Sequence, residues 1–244
     1  MRFTWAYLLY LHAIFMTMYA RIFVLFILLN SLSATAQIYE IGGFLGGSNY
    51  IGDIGKTDYI APRETAYGFL FRWNKSPRHS WRISYTQSKI TANDADATDP
   101  ARVQRGYSFE NDLKELSVGL EFDFFDFDLH DSKPKITPYV YTGLSYLSYN
   151  GLFFVGGQPK YDTTHNTAAL PMTLGIKGRI FDNLVLGFES GARFSFRDDL
   201  DGSNPTNANL SNARFGNLRS NDWYVFTGFT ATYTFGNKPC FCSN

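Results

Sequence analysis

Cysteine is nearly absent from this chain: Cys240 and Cys242 are the only two, both close to the C-terminal end of the sequence. A Cys-x-Cys pair is too close for an unstrained disulfide, and two sulfurs alone do not make a zinc site. Neither a disulfide framework nor a zinc module is therefore expected to hold the fold. An excess of one charge sign is also missing, with Lys+Arg at 22 and Asp+Glu at 22. A dedicated nucleic-acid binder carries a basic surplus, so that class is excluded. Charged residues make up only 18% of the chain. Mean hydropathy is −0.19, and no series of long apolar runs follows the first few dozen residues, so a bundle of membrane helices is excluded as well. Histidine is scarce. His79, His130 and His165 stand at no i, i+2 or i, i+4 spacing from one another or from a cysteine, so neither a metal nor a cofactor is expected. Gly42-Gly43 and Gly46-Gly47 are not followed by a helix with Lys-Ser/Thr, so they form no phosphate loop.

Residues 1–36 contain no Asp or Glu. Arg21 precedes an apolar run from Ile22 to Leu29, and Ala34-Thr35-Ala36 ends it with a small-x-small pattern. This reads as a secretory signal cleaved after Ala36. Met18 would start a signal of ordinary length, which makes 1–17 a start-site extension. Residues 37–236 are then expected to form one domain, with 237–244 as a C-terminal periplasmic tail.

What the chain has in quantity is aromatic residues, 18% of the total with Tyr 16 and Phe 23, together with Gly 21. They fall in runs of period two, at lengths suited to tilted membrane strands. Trp223, Val225, Phe229, Ala231, Tyr233 and Phe235 share one parity, while Gly228, Thr230, Thr232 and Thr234 share the other. Leu116, Val118, Leu120 and Phe122 oppose Glu115, Ser117, Gly119 and Glu121 in the same way. Six further runs bring the expected total to eight strands. The connections alternate in length. Residues 51–63, 91–111, 150–166 and 198–221 read as long polar loops. The links at 75–79, 128–135 and 181–183 are shorter. Long outward loops and short periplasmic turns mark the barrels of bacterial outer membranes. The expected fold is all-β: an eight-stranded antiparallel transmembrane β-barrel of the outer-membrane type, located in the cell outer membrane and in contact with its lipid. A soluble barrel also alternates, but with apolar residues inward. Here the polar parity is Gly, Ser and Thr with scattered charges of both signs, which suits a crowded lumen. Tyr39, Trp73, Trp81, Trp223 and Tyr233 stand near strand ends, as an interfacial girdle does.

The polar parity places Glu40, Arg72, Arg82, Glu115, Glu121, Asp123, Lys177, Arg179, Glu189, Arg193 and Arg197 in the lumen. Eight strands leave room only for side chains, and buried charges must pair. A plugged lumen laced with ion pairs is expected, rather than an open pore. No catalytic residues and no small-molecule substrate are expected. The only enzymatic arrangement the sequence offers is His165 with Ser145 or Ser148, and His165 reads more simply as a solvated loop residue. Asp198-Asp199-Leu200-Asp201-Gly202-Ser203-Asn204 has the flavour of a calcium loop but lacks its ligand order and distal Glu. It reads as polar surface.

The segment Glu40-Ile41-Gly42-Gly43-Phe44-Leu45-Gly46-Gly47-Ser48-Asn49-Tyr50-Ile51-Gly52-Asp53 resembles the opening of the PorG-like family of outer-membrane β-barrels. Residues 69–74, 116–124, 138–144 and 174–178 extend the resemblance over most of the chain after the leader. The family's last outward loop often opens with an Asp-Tyr-x-Asp-Asp-Val-Ser-like sequence. Here it reads Arg197-Asp198-Asp199-Leu200-Asp201-Gly202-Ser203. The resemblance implies a non-enzymatic component of the type IX secretion system that docks a periplasmic ring of secretion proteins to the membrane. A surface-exposed binding or adhesion barrel and an outer-membrane lipid-modifying enzyme are the alternatives.

Overall fold

The computed structural model describes residues 38–129 and 135–236. The expected signal segment, His130, and the tail with Cys240 and Cys242 lie outside the described residues. Eight strands follow in chain order: β1 (Ile38–Ile51), β2 (Glu64–Ser76), β3 (His79–Asn93), β4 (Ser108–Asp123), β5 (Ile136–Val155), β6 (Gln158–Phe181), β7 (Leu184–Ser195) and β8 (Trp223–Phe235). Each pairs antiparallel with the next, and β1 pairs with β8 to close the barrel.

Alternation decides which way the wall faces. Leu45, Phe69, Leu174 and Phe229 are each at least 64% exposed, while Glu40, Arg72 and Glu121 are fully buried. The apolar rows therefore point outward. Each such side chain gains roughly 1.5–3 kcal/mol on leaving water for hydrocarbon. A closed barrel also satisfies its own backbone, as a bilayer demands. The wall accordingly spans the outer membrane. Aromatic residues mark its two edges. At the end where β1 begins and β8 finishes, Tyr39 stacks on Phe71 and packs beside Phe235, and Trp73 pairs with Trp81. At the other end Trp223 meets Phe194.

Two links at the end where β1 begins are short. Pro77-Arg78 joins β2 to β3, and Asp182-Asn183 joins β6 to β7. The β4–β5 link is longer and turns under the barrel. There Phe127 and Leu129 are buried with Ile38 and Val185, and Arg179 Nη1 donates to the Leu129 carbonyl at 3.0 Å. The opposite links include a short helix, α1 (Pro100–Arg105), between β3 and β4, capped by the Asp99 side chain and ended at left-handed Gly106.

Two sequence expectations are corrected. The long loop read at residues 150–166 is a continuation of β5 and β6, joined at Gly156-Gly157. Both glycines have positive φ, 61° and 80°, which suits a two-residue hairpin turn. The β6 arm of this hairpin, Gln158 to Asn166, is polar and mostly exposed, so period two is invisible there, while Leu152 and Phe154 of the β5 arm turn in to the apolar cluster. The second correction is the segment Asp198 to Asn204, read as polar surface. Asp198 to Ser203 is buried in the barrel mouth. Its anchor is Leu200, which joins the apolar cluster of Phe44, Leu70, Leu113, Leu147, Leu152 and Phe226.

Candidate functional site

Inward parity from six of the strands delivers acids and bases to the lumen. Glu121 of β4 accepts from Arg72 Nε at 2.9 Å and from Lys177 Nζ at 2.7 Å. Arg72 Nη1 also reaches Glu40 at 3.1 Å, and Glu40 accepts from Asn74 at 2.9 Å and Thr232 at 2.6 Å. Lys177 lies 3.0 Å from Asp123. Arg82 forks onto Glu189 with two contacts of 2.7 Å, and Tyr139 donates to the same carboxylate at 2.5 Å. One level further out, Glu115 accepts from Tyr224 at 2.6 Å and faces Arg193 at 3.5 Å. The Arg193 guanidinium sits 4.4 Å from the Phe226 ring. Glu40, Glu115, Glu121, Asp123 and Glu189 thus meet Arg72, Arg82, Lys177 and Arg193, in a space where a lone charge would cost several kcal/mol.

Ten of the eleven residues the sequence places in the lumen are buried there. Arg179 is at the lower rim, engaged with Leu129 and, at 3.4 Å, with Asp182. Arg197 is the exception. It is exposed, because β7 ends at Ser195 and the chain turns there. Phe196 N still donates to the Ala168 carbonyl, and Asp222 N to the Arg197 carbonyl.

Above the charged level lie the apolar cluster and then a cap built from all four outward links. Arg105 is its hub. Its guanidinium holds Asp94 at 2.7 and 2.9 Å and the Asp53 carbonyl at 2.7 Å. It also lies 4.8 Å from the Phe215 ring and 5.2 Å from the Tyr107 ring. Tyr107 stacks on Phe154 of the hairpin at 4.6 Å. Burial would raise the Asp94 carboxyl, but Arg105 and the Gly55 and Tyr107 amides outweigh it and hold the group below its ordinary range. Gly216 has φ +76°, and a Cβ there would fall 2.4 Å from Asp53 Oδ2. That glycine is what lets Asn217 N reach the same oxygen at 3.0 Å.

His165 belongs to this cap and not to solvent. Its Nδ1 lies 2.9 Å from Asp199, which also accepts from Tyr149 at 2.5 Å, and its Nε2 is 3.5 Å from Thr206 Oγ1. Ser145 faces the lumen with no partner for its hydroxyl among the described residues, so it does not pair with His165. The buried carboxylates Asp53, Asp198, Asp199, Asp201 and Asp222 are not legible as one cluster in the sequence. The signal available is Leu200, an apolar residue isolated within an otherwise polar stretch. Among the described residues, no group of His, Cys, Asp and Glu is arranged to hold a metal ion.

A family model described as "Domain of unknown function (DUF6089)" matches residues 20–244. No curated protein matches the sequence. Solved structures do. Ail of Yersinia pestis, in complex with the heparin analogue sucrose octasulfate, is 10% identical, with 82% of this chain and 100% of that one covered at a TM-score of 0.42. Neisserial surface protein A is also 10% identical, covering 82% and 97% at 0.44. A major outer membrane protein from Thermus thermophilus is 12% identical, covering 82% and 100% at 0.44. Likenesses of this size carry nothing about ligand or activity.

Proposed function

The chain belongs to the DUF6089 family, and we propose that it is a non-enzymatic outer-membrane subunit of a protein secretion apparatus, docking a periplasmic ring to the membrane. The observation that carries this reading is the lumen. Cross-barrel ion pairs fill it, Phe127 and Leu129 close it below, and Leu200 closes it above. A barrel plugged along its length works through its surfaces rather than through its bore. On the periplasmic rim Phe125 and Phe181 remain 60% and 68% exposed, and Arg78 and Asp126 of the same rim form an exposed ion pair. Apolar anchors beside a charged rim suit a protein partner. The resemblance of residues 40–53 to the PorG-like family supplies the identity of that partner as ring proteins of type IX secretion.

The test is co-purification from membranes. The tagged barrel is expected to retain ring proteins, and exchanging Phe125 and Phe181 for Ser is expected to release them while the barrel still inserts. Normal secretion in a clean deletion strain would end the reading.

A second reading, a surface binding barrel, draws on the β5–β6 hairpin. It continues past the last β4–β5 pair, Leu113 with Tyr149, and leaves Tyr161 and Val155 exposed outside the cell. Trimming residues 152–161 to a short turn would then abolish ligand binding and spare secretion.

A further inference from the structure

Two buried carboxylates in the barrel mouth meet at one phenol. Tyr50, at the outer end of β1, donates its only hydroxyl proton to Asp222 Oδ1, while Asp222 Oδ2 accepts from Leu200 N at 2.9 Å. Asp201 is fully buried beside the same hydroxyl. Its Oδ1 accepts from Ser203 N at 2.8 Å, and its Oδ2 has no donor among the described residues. A buried carboxylate oxygen left without a donor costs several kcal/mol by order of magnitude, and the Tyr50 proton is already committed.

The surroundings offer no remedy. From the β1–β2 link comes Asp53, whose Oδ2 is taken by Asn217 N. From the β3–β4 link come Asp94 and Arg105, bound to each other. Arg105 acts on Asp201 from a distance, but its donors go to Asp94 and the Asp53 carbonyl. From β5 and β6 come Tyr149 and His165, both bound to Asp199. From the β7–β8 link come Asp198, held by Asn204 at 3.2 Å, and Arg197, which is exposed.

We propose that Asp201 is protonated in the closed mouth and donates to the Tyr50 oxygen, completing a relay from Asp201 through Tyr50 to the Asp222 carboxylate. The relay latches the β7–β8 link into the barrel and releases it when the Asp201 proton passes to water. Every polar atom in the relay is then satisfied with one added proton and no other ligand. Deprotonation places two carboxylates on one phenol with Asp53 and Asp198 nearby, and the repulsion is relieved by the link swinging outward. Burial, reinforced by the neighbouring carboxylates, pushes the Asp201–Asp222 pair up, so the two hold one proton between them; Asp222, with a donor on each oxygen, is the member that stays ionised. Burial and the same neighbours raise Asp198 to about 7. The sign follows: groups raised in the closed state stabilise it at low pH, and that stabilisation fades as pH climbs through the raised values.

The experiment is amide hydrogen exchange on the full chain in phosphatidylcholine vesicles, corrected for intrinsic rate, from pH 5 to pH 9. It is run in a D198N background, which removes the other carboxyl of the link that burial raises. Protection of residues 199–203 is expected to fall by about tenfold per pH unit once the latch titrates, with strand amides unchanged. Adding D201N, whose amide donates to Tyr50 without titrating, is expected to keep the link protected at pH 9. Adding Y50F is expected to lower protection at pH 5. Flat protection across the range, or an undiminished fall in the D201N variant, overturns the latch. So does closure at pH 9 on adding calcium together with opening at pH 5 on adding a chelator, which would assign the cluster to a cation.

Discussion

Arg82 and Glu189 face each other across the lumen as a two-point fork, Nη1 to Oε2 and Nη2 to Oε1, both at 2.7 Å. They stand on β3 and β7, strands that are not neighbours in the sheet, so this pair braces the barrel from wall to wall. The planar guanidinium matches a carboxylate at two points, which an ammonium cannot do.

Breaking the brace from one side leaves a charge stranded. R82A is expected to lower stability by roughly 3–5 kcal/mol, the range for one partner lost from a buried pair. R82K should lose less, because one contact survives. The double variant R82M/E189L should cost less than either single truncation, since no charge is left alone. Urea unfolding of the vesicle-inserted barrel measures all three. A double variant as unstable as the sum of its singles would mean that the two side chains are not coupled.

The lipid-facing wall makes the opposite demand. Phe229 sits between Leu45 and Phe188 in the register, and its ring lies 5.2 Å from that of Phe188. Replacing it with Arg is expected to cost roughly 2–4 kcal/mol, the range for a cation on the lipid face near the bilayer midplane. Thr230, one residue on, faces inward and should tolerate Ser with little change. Equal tolerance at both positions, read from the same unfolding curves, would contradict the orientation of the wall.

These two faces were legible in the sequence because period two writes them directly, as in Leu116 to Phe122 against Glu115 to Glu121. The eight-stranded closed barrel follows from that pattern and is what the structure contains. Alternation is silent once the chain leaves the wall. Arg197 continues the parity of Arg193 and Ser195, yet the strand has already ended, so parity puts it in a lumen it does not reach. Tyr161 to Asn166 is strand but looks like loop, because every residue in it except His165 is exposed. Asp199, Leu200 and Asp201 look like surface, because their burial depends on Tyr50, Tyr149 and His165, which are distant in sequence. Pairing choices have the same origin: composition shows charges of both signs in the lumen, but not that Glu121 is shared by Arg72 and Lys177.

The cap should weaken in acid through a different group from the one that weakens it in base. Asp94 is held below its ordinary range by Arg105 and two amides, so its stabilisation is present above the ordinary carboxylate value and is lost as pH falls through the depressed one. R105A is expected to raise exchange at Gly55 and Tyr107, whose amides donate to Asp94. The cost should be on the order of 1 kcal/mol, discounted because the guanidinium is partly exposed. D94N should abolish the acid limb while leaving the basic limb in place. If R105A leaves exchange at Gly55 and Tyr107 untouched, Arg105 is not the hub of the cap.

Three separate obstructions close the bore, and they predict an unusual pattern of conductance. The upper one is the β7–β8 link, anchored by Leu200. The middle one is the bridge of Arg72, Glu121, Arg82 and Glu189, which crosses the lumen and does not depend on the link, and Phe127 and Leu129 close the bore beneath it. The whole barrel should therefore give no steps of current in planar bilayers, with insertion verified by protection of the wall from protease. Replacing residues 198–221 with a short turn should remove the upper obstruction and still give no current, because the charged bridge remains. Adding R82A and E189A to that deletion should still give no current, because the Arg72–Glu121–Lys177 pairs and the Phe127–Leu129 closure remain. Ion-selective steps from the deletion alone would show that the bridge does not fill the lumen, and the surface-docking role would lose the observation it rests on.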